Sequence, residues 1–272
     1  MRYQKISPSE LLKEHIKWFF ILDSNQLLER PLMINSTANC AYALVFNYGN
    51  RHRIFNSFHQ GLLLPRCFLS GISTVPYRMQ YEGRLLMAGV IFNGLAFMDL
   101  FNIPPRHELI NNRMDAYHLL GAKADELIDR LAFATSNHDR ITILEHFFIQ
   151  FIQKKQTKID PVDQAAKIIL SSRGMVRMDQ VANQVNLSPR QLRRKFSLKT
   201  GIGPKGFSRI KRFNFVNHML AKNPDLSWYR FLNDGGYYDQ SHLIKDYQEF
   251  SGHNPSVFID NTRSAYHRLL SP

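Results

Sequence analysis

The chain has 272 residues, 44% of them hydrophobic and 12% aromatic, with 35 Lys/Arg against 22 Asp/Glu. That length accommodates two domains of ordinary size, and that apolar content excludes a disordered or fibrous class. The net charge of +13 is unevenly placed: residues 161–222 hold 13 Lys/Arg against Asp163 and Asp179, a balance of +11, whereas residues 1–160 hold +4 and residues 223–272 hold −2.

The opening Met1-Arg-Tyr-Gln-Lys5 lacks the apolar core of a signal peptide. No stretch approaches the ~18 apolar residues of a membrane span, so the expected location is the cytoplasm, with no membrane partner. Ser7-Pro8-Ser9-Glu10 reads as a helix start leading into a strand at Ile16–Leu22. Short β-type segments follow at Ala41–Tyr48, His52–Phe58, Leu62–Leu69, Pro76–Tyr81 and Leu85–Phe92, separated by turn signals such as Tyr48-Gly49-Asn50 and Glu82-Gly83. Strands at this spacing predict a β-sandwich or open barrel. Cys40 and Cys67 have neither metal-ligand spacing nor a redox motif, and read as reduced, partly buried thiols.

After Asn93-Gly94 the apolar period becomes helical, at Leu95–Phe101, Ala122–Thr135 and Arg140–Lys154. Ile141, Leu144, Phe148 and Phe151 form one stripe, which is either core or a dimer face. The polar stretch Lys154–Lys158, ending at Asp160-Pro161, reads as a linker. Residues 1–155 are thus expected to form one domain, 156–160 the linker, 161–262 a second domain and 263–272 a tail. From Pro161 onward only helices fit, at about 161–172, 178–185, 189–200, 204–222, 227–234, 240–251 and 255–260. The predicted class is α+β multidomain: a β-rich N-terminal domain with C-terminal helices, followed by an all-α seven-helix domain.

That second domain contains one pattern twice. Ser188-Pro-Arg-Gln-Leu-Arg-Arg-Lys-Phe196 and Thr200-Gly201-x-x-Pro204-x-x-Phe207 return as Asp239-Gln-Ser-His-Leu-Ile-Lys-Asp-Tyr247 and Ser251-Gly252-x-x-Pro255-x-x-Phe258, at an offset of fifty-one. Upstream the offset is fifty, pairing Val181 with Phe231, Asn186 with Gly236 and Leu187 with Tyr237, and Tyr238 is the extra residue. In the first copy Ser188 is the expected N-cap and Pro189 the first helical residue. Leu192 and Phe196 bury together, which turns Arg190, Arg193 and Arg194 outward, where they can reach guanine O6/N7 or grip phosphates. In the second copy Leu243 and Tyr247 bury, and Ser241, Ile244 and Lys245 face outward among Asp234, Asp239, Asp246 and Glu249. The first unit is therefore expected to supply most of the affinity. The basic block is the electrostatic footprint of phosphate binding, and a solvated charged face is its plainer alternative.

These residues resemble the DNA-binding domain of the AraC/XylS family of bacterial transcription regulators over about residues 161–260, including Gly236-Tyr-Tyr-Asp-Gln-Ser-His-Leu243 and the short helix opened by Asn254-Pro255. The resemblance implies two helix-turn-helix units in successive major grooves, joined by a long helix, here Pro204–Lys222. It makes double-stranded promoter DNA the expected partner and brings RNA polymerase, a small-molecule effector and a second copy of the chain into consideration. Arg190, Arg193, Arg194, Ser241, Ile244 and Lys245 are then the base-reading candidates. Ser188, Gln191, Lys199, Lys205, Arg209, Arg212, Gln240 and His242 are the phosphate-binding candidates. Leu232 departs from the family, which has alanine there; it should push the helices apart or be accommodated by Gly235 and Gly236. The segment Gly89-Val-Ile-Phe92…Leu119-Leu120-Gly121 is similar to the cupin-like sensory domains of one subgroup. Such domains bind an effector, mediate dimerisation, or both.

Cupin-like barrels also hold catalytic metals, so a metal-dependent enzyme fused to a DNA-binding module is a rival reading. It needs clustered inward-facing ligands. His52 and His59 differ in strand parity, and His15, His107 and His118 are scattered, so no metal and no cofactor is expected. No Gly-x-Ser-x-Gly elbow, phosphate loop or Gly-x-Gly-x-x-Gly fingerprint occurs, and no catalytic residue is expected. A fused DNA-alkylation repair module would need a nucleophilic cysteine in a basic setting, which only Arg66 beside Cys67 approaches. Control by a protein partner or by pH is the third reading.

Overall fold

The computed structural model describes residues 1–24, 26–101, 109–152, 160–222 and 232–255. Among the described residues, ten strands form two antiparallel sheets. The first has order β1(Arg2–Ile6), β2(Ile16–Asp23), β9(Leu86–Phe92), β4(Ala43–Asn47), β7(Cys67–Ser70) and β10(Arg113–Asp115). The second has order β3(Leu28–Ser36), β8(Tyr77–Gly83), β5(Arg53–Phe55) and β6(Gln60–Leu63). The short helix expected from Ser7-Pro8-Ser9-Glu10 is a 3-10 helix at Glu10–Leu12.

The six-stranded sheet is covered on both faces, which explains why its strands read as continuous apolar runs. Phe20, Leu22, Ala43, Val45, Phe68 and Met87 point toward the four-stranded sheet, where they meet Ile54, Met79 and Tyr81. Their neighbours Phe19, Ile21, Leu44, Phe46, Leu69, Ala88 and Val90 point the other way, into a core shared with the helices. Alternation therefore survives as two apolar faces. All five residues of β4, in the sheet interior, are buried.

Three strands lie outside the sequence expectation, and all are edges: β1, β3 and β10. Edge strands carry polar residues, and β3 also contains Pro31 where its pairing with β8 shifts register between Leu28 and Leu32. Proline is tolerated at such an irregularity. The single strand expected at Leu62–Leu69 is two strands in different sheets. Buried Leu64 and the following Pro65 make the crossover, with the Leu64 amide donating to His52 O at 2.9 Å.

Four helices back the six-stranded sheet: α1(Ala96–Leu100), α2(Tyr117–Leu120), α3(Lys123–Phe133) and α4(Asn137–Ile152). On α4, Ile141, Leu144 and Phe148 are buried and Phe151 is half-buried, so the stripe is mainly core. The C-terminal region is helical: α5(Pro161–Ser171), α6(Met178–Gln184), α7(Pro189–Thr200), α8(Pro204–Lys222) and α9(Gln240–Ser251). Of the helix expected at 227–234, residues 232–234 are described and helical; the one expected at 255–260 except Pro255, the linker at 156–160 except Asp160, and the tail at 263–272 lie outside the described residues.

One apolar cluster runs from Leu12 through the N-terminal helices to Phe250, so the two regions share a continuous core. Polar contacts reinforce it. The Ala38 amide donates to Phe250 O at 2.9 Å, Asn214 Nδ2 donates to Ala38 O at 2.7 Å, and Cys40 Sγ donates to Phe207 O at 3.5 Å. Burial pushes both the Cys40 and Cys67 thiols up, away from the nucleophilic thiolate.

His52 lies between the sheets and is 1% exposed, with its ring 5.6 Å from Phe68 and 5.0 Å from Tyr81. Its Nδ1 faces Asn47 Nδ2 at 3.3 Å, while Nε2 has no hydrogen-bond partner among the described residues. Burial, helped by the nearby Arg113 charge, pulls His52 down to about 4. The unfolded chain, near the ordinary 6.5, then binds more protons than the folded one between those values, so stability is complete above about pH 6.5 and falls toward pH 4. Unfolding free energies from denaturant titrations at pH 7 and pH 5 should differ by about 2 kcal/mol from this group, and His52→Phe should flatten the difference. His59 instead bonds Asn112 Oδ1 at 3.1 Å. Among the described residues no three His, Cys, Asp or Glu side chains converge as a metal site.

Candidate nucleic-acid interface

Two local frames are built with the same hydrogen bonds. In the first, Leu187 N donates to Ala182 O at 3.0 Å and Asn186 N to Asn183 O at 3.2 Å. In the second, Tyr237 N donates to Leu232 O at 2.9 Å and Gly236 N to Asn233 O at 3.2 Å. The turn requires a left-handed residue, and it is Asn186 (φ 54) in one copy and Gly236 (φ 65) in the other. Asparagine and glycine are the residues that tolerate that backbone. Leu232 fits by lying half-buried at the margin of the core while Gly235 is buried beside it.

The helix that follows each turn is capped alike. Ser188 Oγ accepts from Gln191 N at 3.3 Å, and Gln191 Oε1 accepts from Ser188 N at 2.9 Å, a reciprocal capping box. Asp239 accepts from His242 N at 2.8 Å. At the other end Thr200 Oγ1 donates to Phe196 O at 2.9 Å, and Ser251 Oγ to Tyr247 O at 2.7 Å, before left-handed Gly201 and Gly252. Both helices dock on α8, through Phe196–Phe207 at 5.4 Å and Phe213–Tyr247 at 4.9 Å between ring centroids. Gly174 lets the corner before α6 approach α8, since a Cβ there would stand 2.2 Å from Ser208 O.

On α7, Leu192 and Phe196 are buried, and Arg190, Arg193, Arg194, Gln191 and Ser188 are exposed. Lys195, which the sequence reading did not single out, adds a fourth exposed cation. None of these four cations forms an ion pair among the described residues. On α9 Ser241, Lys245 and Gln240 are exposed and Ile244 is half-buried. Lys205 is exposed at the start of α8.

Four other phosphate candidates are engaged inside the protein. Lys199 Nζ reaches Asp163 at 2.7 Å, Asp99 at 3.1 Å and Asp160 at 3.3 Å, and its side chain is only 14% exposed. Burial pulls its pKa down, but three carboxylates around one ammonium outweigh that and hold it above the ordinary lysine range. Arg209 binds Asp246 at 2.6 Å and Glu249 at 2.7 Å. Arg212 binds the other Asp246 oxygen at 3.3 Å, faces His242 Nε2 at 3.1 Å and lies 4.3 Å from the Tyr237 ring. His242 is thereby held against α8. No local pattern marks these pairings, because the partners stand 30 to 100 residues apart.

The Lys199 cluster joins the two regions, since Asp99 belongs to α1 and Lys199 to α7. Lys199→Met is expected to leave three carboxylates facing one another and to destabilise the chain by about 1–3 kcal/mol, read as a lowered denaturation midpoint. An unchanged midpoint would mean that the cluster is solvated.

A family model described as a helix-turn-helix domain matches residues 181–261, and one described as a domain of unknown function matches residues 4–115. No curated protein matches the sequence. Among solved structures, an apo lysine-to-alanine variant of ToxT from Vibrio cholerae is 10% identical, with 89% of this chain and 97% of that one covered at a TM-score of 0.51. Wild-type ToxT from the same organism, bound to an unsaturated fatty acid, is 10% identical with 90% and 96% covered at 0.48. The AraC-like transcriptional activator CuxR is 12% identical with 79% and 85% covered at 0.23. At such identities the first likeness shows the fold: a β-rich domain followed by a helical one. Repeated turn frames, matched caps and the family match together make the C-terminal region of this chain an AraC-type helix-turn-helix domain.

Proposed function

We propose that this protein is a sequence-specific transcription regulator whose two helix-turn-helix units enter successive major grooves on one face of promoter DNA. The observation that carries this reading is α7: a capped, rigid helix with Arg190, Arg193 and Arg194 exposed on one face. Arginine is the side chain best suited to bidentate contact with guanine O6 and N7. The unit around α9 offers Ser241, Ile244 and Lys245, so it reads bases weakly and serves mainly to fix register. Ser188, Gln191, Lys205 and Gln240, at or near helix N-termini, approach phosphates.

Control by the N-terminal domain is the second part of the proposal, supported by the ion pair between Asp99 of α1 and Lys199 at the end of α7. Any ligand or partner that moves α1 acts on the base-reading helix. Hydroxyl-radical footprinting on a selected site tests the reading of DNA: two protected patches about 10–10.5 base pairs apart are expected. A single patch, or protection across the helix on both faces, would rule it out.

A further inference from the structure

A cleft of about 510 Å³ opens between the N-terminal helices, remote in sequence from the DNA-reading units. Its floor is apolar: Leu100 and Phe101 at the end of α1, Leu119 of α2, Leu127 of α3, and Phe147 and Phe151 of α4. Phe101 and Phe147 stand 5.2 and 4.8 Å from Phe151, and Phe101 and Phe151 are only half-buried. An aromatic cluster that belongs to the core thus continues to an open surface. The rim is cationic. Lys123 and Arg130 lie two turns apart on α3, with Lys123 Nζ 5.7 Å from the Phe151 ring centroid. Glu126 is the one acid among the lining residues, and it stands 3.7 Å from Arg130 in a pair exposed on both sides. Such a pair contributes little and is easily exchanged for a ligand carboxylate.

We propose that this cleft is a binding site for a small amphipathic organic anion, with an apolar body on the phenylalanine floor and a carboxylate between Lys123 and Arg130. The volume lies within the range of small-molecule sites, and the lining divides between the apolar floor and the polar side chains of Lys123, Glu126, Arg130, His146 and Gln150. Burying the exposed ring faces favours the body; the net positive rim selects the sign of the head. Leu100 and Phe101 follow Asp99 directly, so the ligand rests on the helix that holds Lys199. The site goes beyond the DNA-reading proposal and stands or falls separately from it.

The experiment is a titration of the full chain with phenylbutyrate and with phenylbutanol, followed by methyl resonances of Leu100, Leu119 and Leu127. Saturable shifts with the acid are expected. They should weaken at least about tenfold for the alcohol, and equally for the acid on a Lys123→Gln/Arg130→Gln chain, which removes only exposed groups and should melt at the same temperature. Equal binding of acid and alcohol, shifts centred elsewhere, or no saturable shift would overturn the proposal. So would a dimer that Lys123→Gln/Arg130→Gln converts to monomer while neither probe binds, since the cleft would then be a subunit interface.

Discussion

Replacing Arg190, Arg193 and Arg194 together by alanine is expected to bring the affinity of the chain for its own site close to its affinity for unrelated duplex. Each guanidinium that holds a guanine contributes roughly 1–3 kcal/mol of discrimination, about tenfold to a hundredfold per residue. All three are exposed on α7, whose fold rests on Leu192, Phe196 and the Ser188–Gln191 cap, so the variant should unfold like the parent. Single variants sort base contacts from phosphate contacts. Loss of a base contact relaxes preference at one position; loss of a phosphate contact weakens all sequences alike and lowers the salt slope by about 1. Lys245→Ala should have the smaller effect. If Lys245→Ala abolishes binding in a mobility-shift titration while the arginine variants bind normally, the roles of the two units are reversed.

The second large effect is expected at Asp246. This carboxylate is fully buried, and it accepts from Arg209 Nε and Nη2, Arg212 Nη2 and Tyr237 OH. Asp246→Ala would leave two arginines, with side chains 26% and 14% exposed, facing a void. Breaking a buried pair from one side costs about 3–5 kcal/mol. The loss should appear as rapid hydrogen exchange in α9, with α7 still protected by its own contacts to α8. Glu249→Ala, at a side chain 46% exposed, should cost under about 1 kcal/mol. Comparable losses in the two variants would show that Asp246 is not the anchor of the second unit.

The repeat was legible in the sequence because its causes are local. An N-cap, a proline at the first helical position, a left-handed Asn186 or Gly236, and apolar residues four apart each act over a few residues. The outward face of α7 followed from the same periodicity. What distant residues decide was not legible. Lys199, Arg209, Arg212 and His242 read as phosphate candidates by type and position, yet Asp163, Asp246, Glu249 and one another occupy them in the folded chain. Charge counting therefore overstated the breadth of the basic surface. Arg177 pairs with Asp179 and Lys167 with Glu14, so among the described residues of the basic block the exposed cations outside an ion pair are Arg173, which lies over the Phe215 ring, Arg190, Arg193, Arg194, Lys195 and Lys205.

In the N-terminal domain the central strands were visible as apolar runs, whereas β1, β3 and β10 were not. Edge strands bury less and carry charge, so their composition resembles that of loops. The cleft was hidden for another reason. Lys123 and Arg130 look like ordinary solvated residues of an amphipathic helix, and only packing sets Phe101, Phe147 and Phe151 beneath them.

Base reading by α7 means that this chain distinguishes a DNA sequence and does not respond to charge alone. Fluorescence anisotropy at physiological salt, with a duplex selected from a random pool and a scrambled duplex of equal length, measures that directly. A specific regulator should bind the selected duplex at least about a thousandfold more tightly. Equal affinities, falling together as salt rises, would leave only a phosphate-binding surface and no base reading.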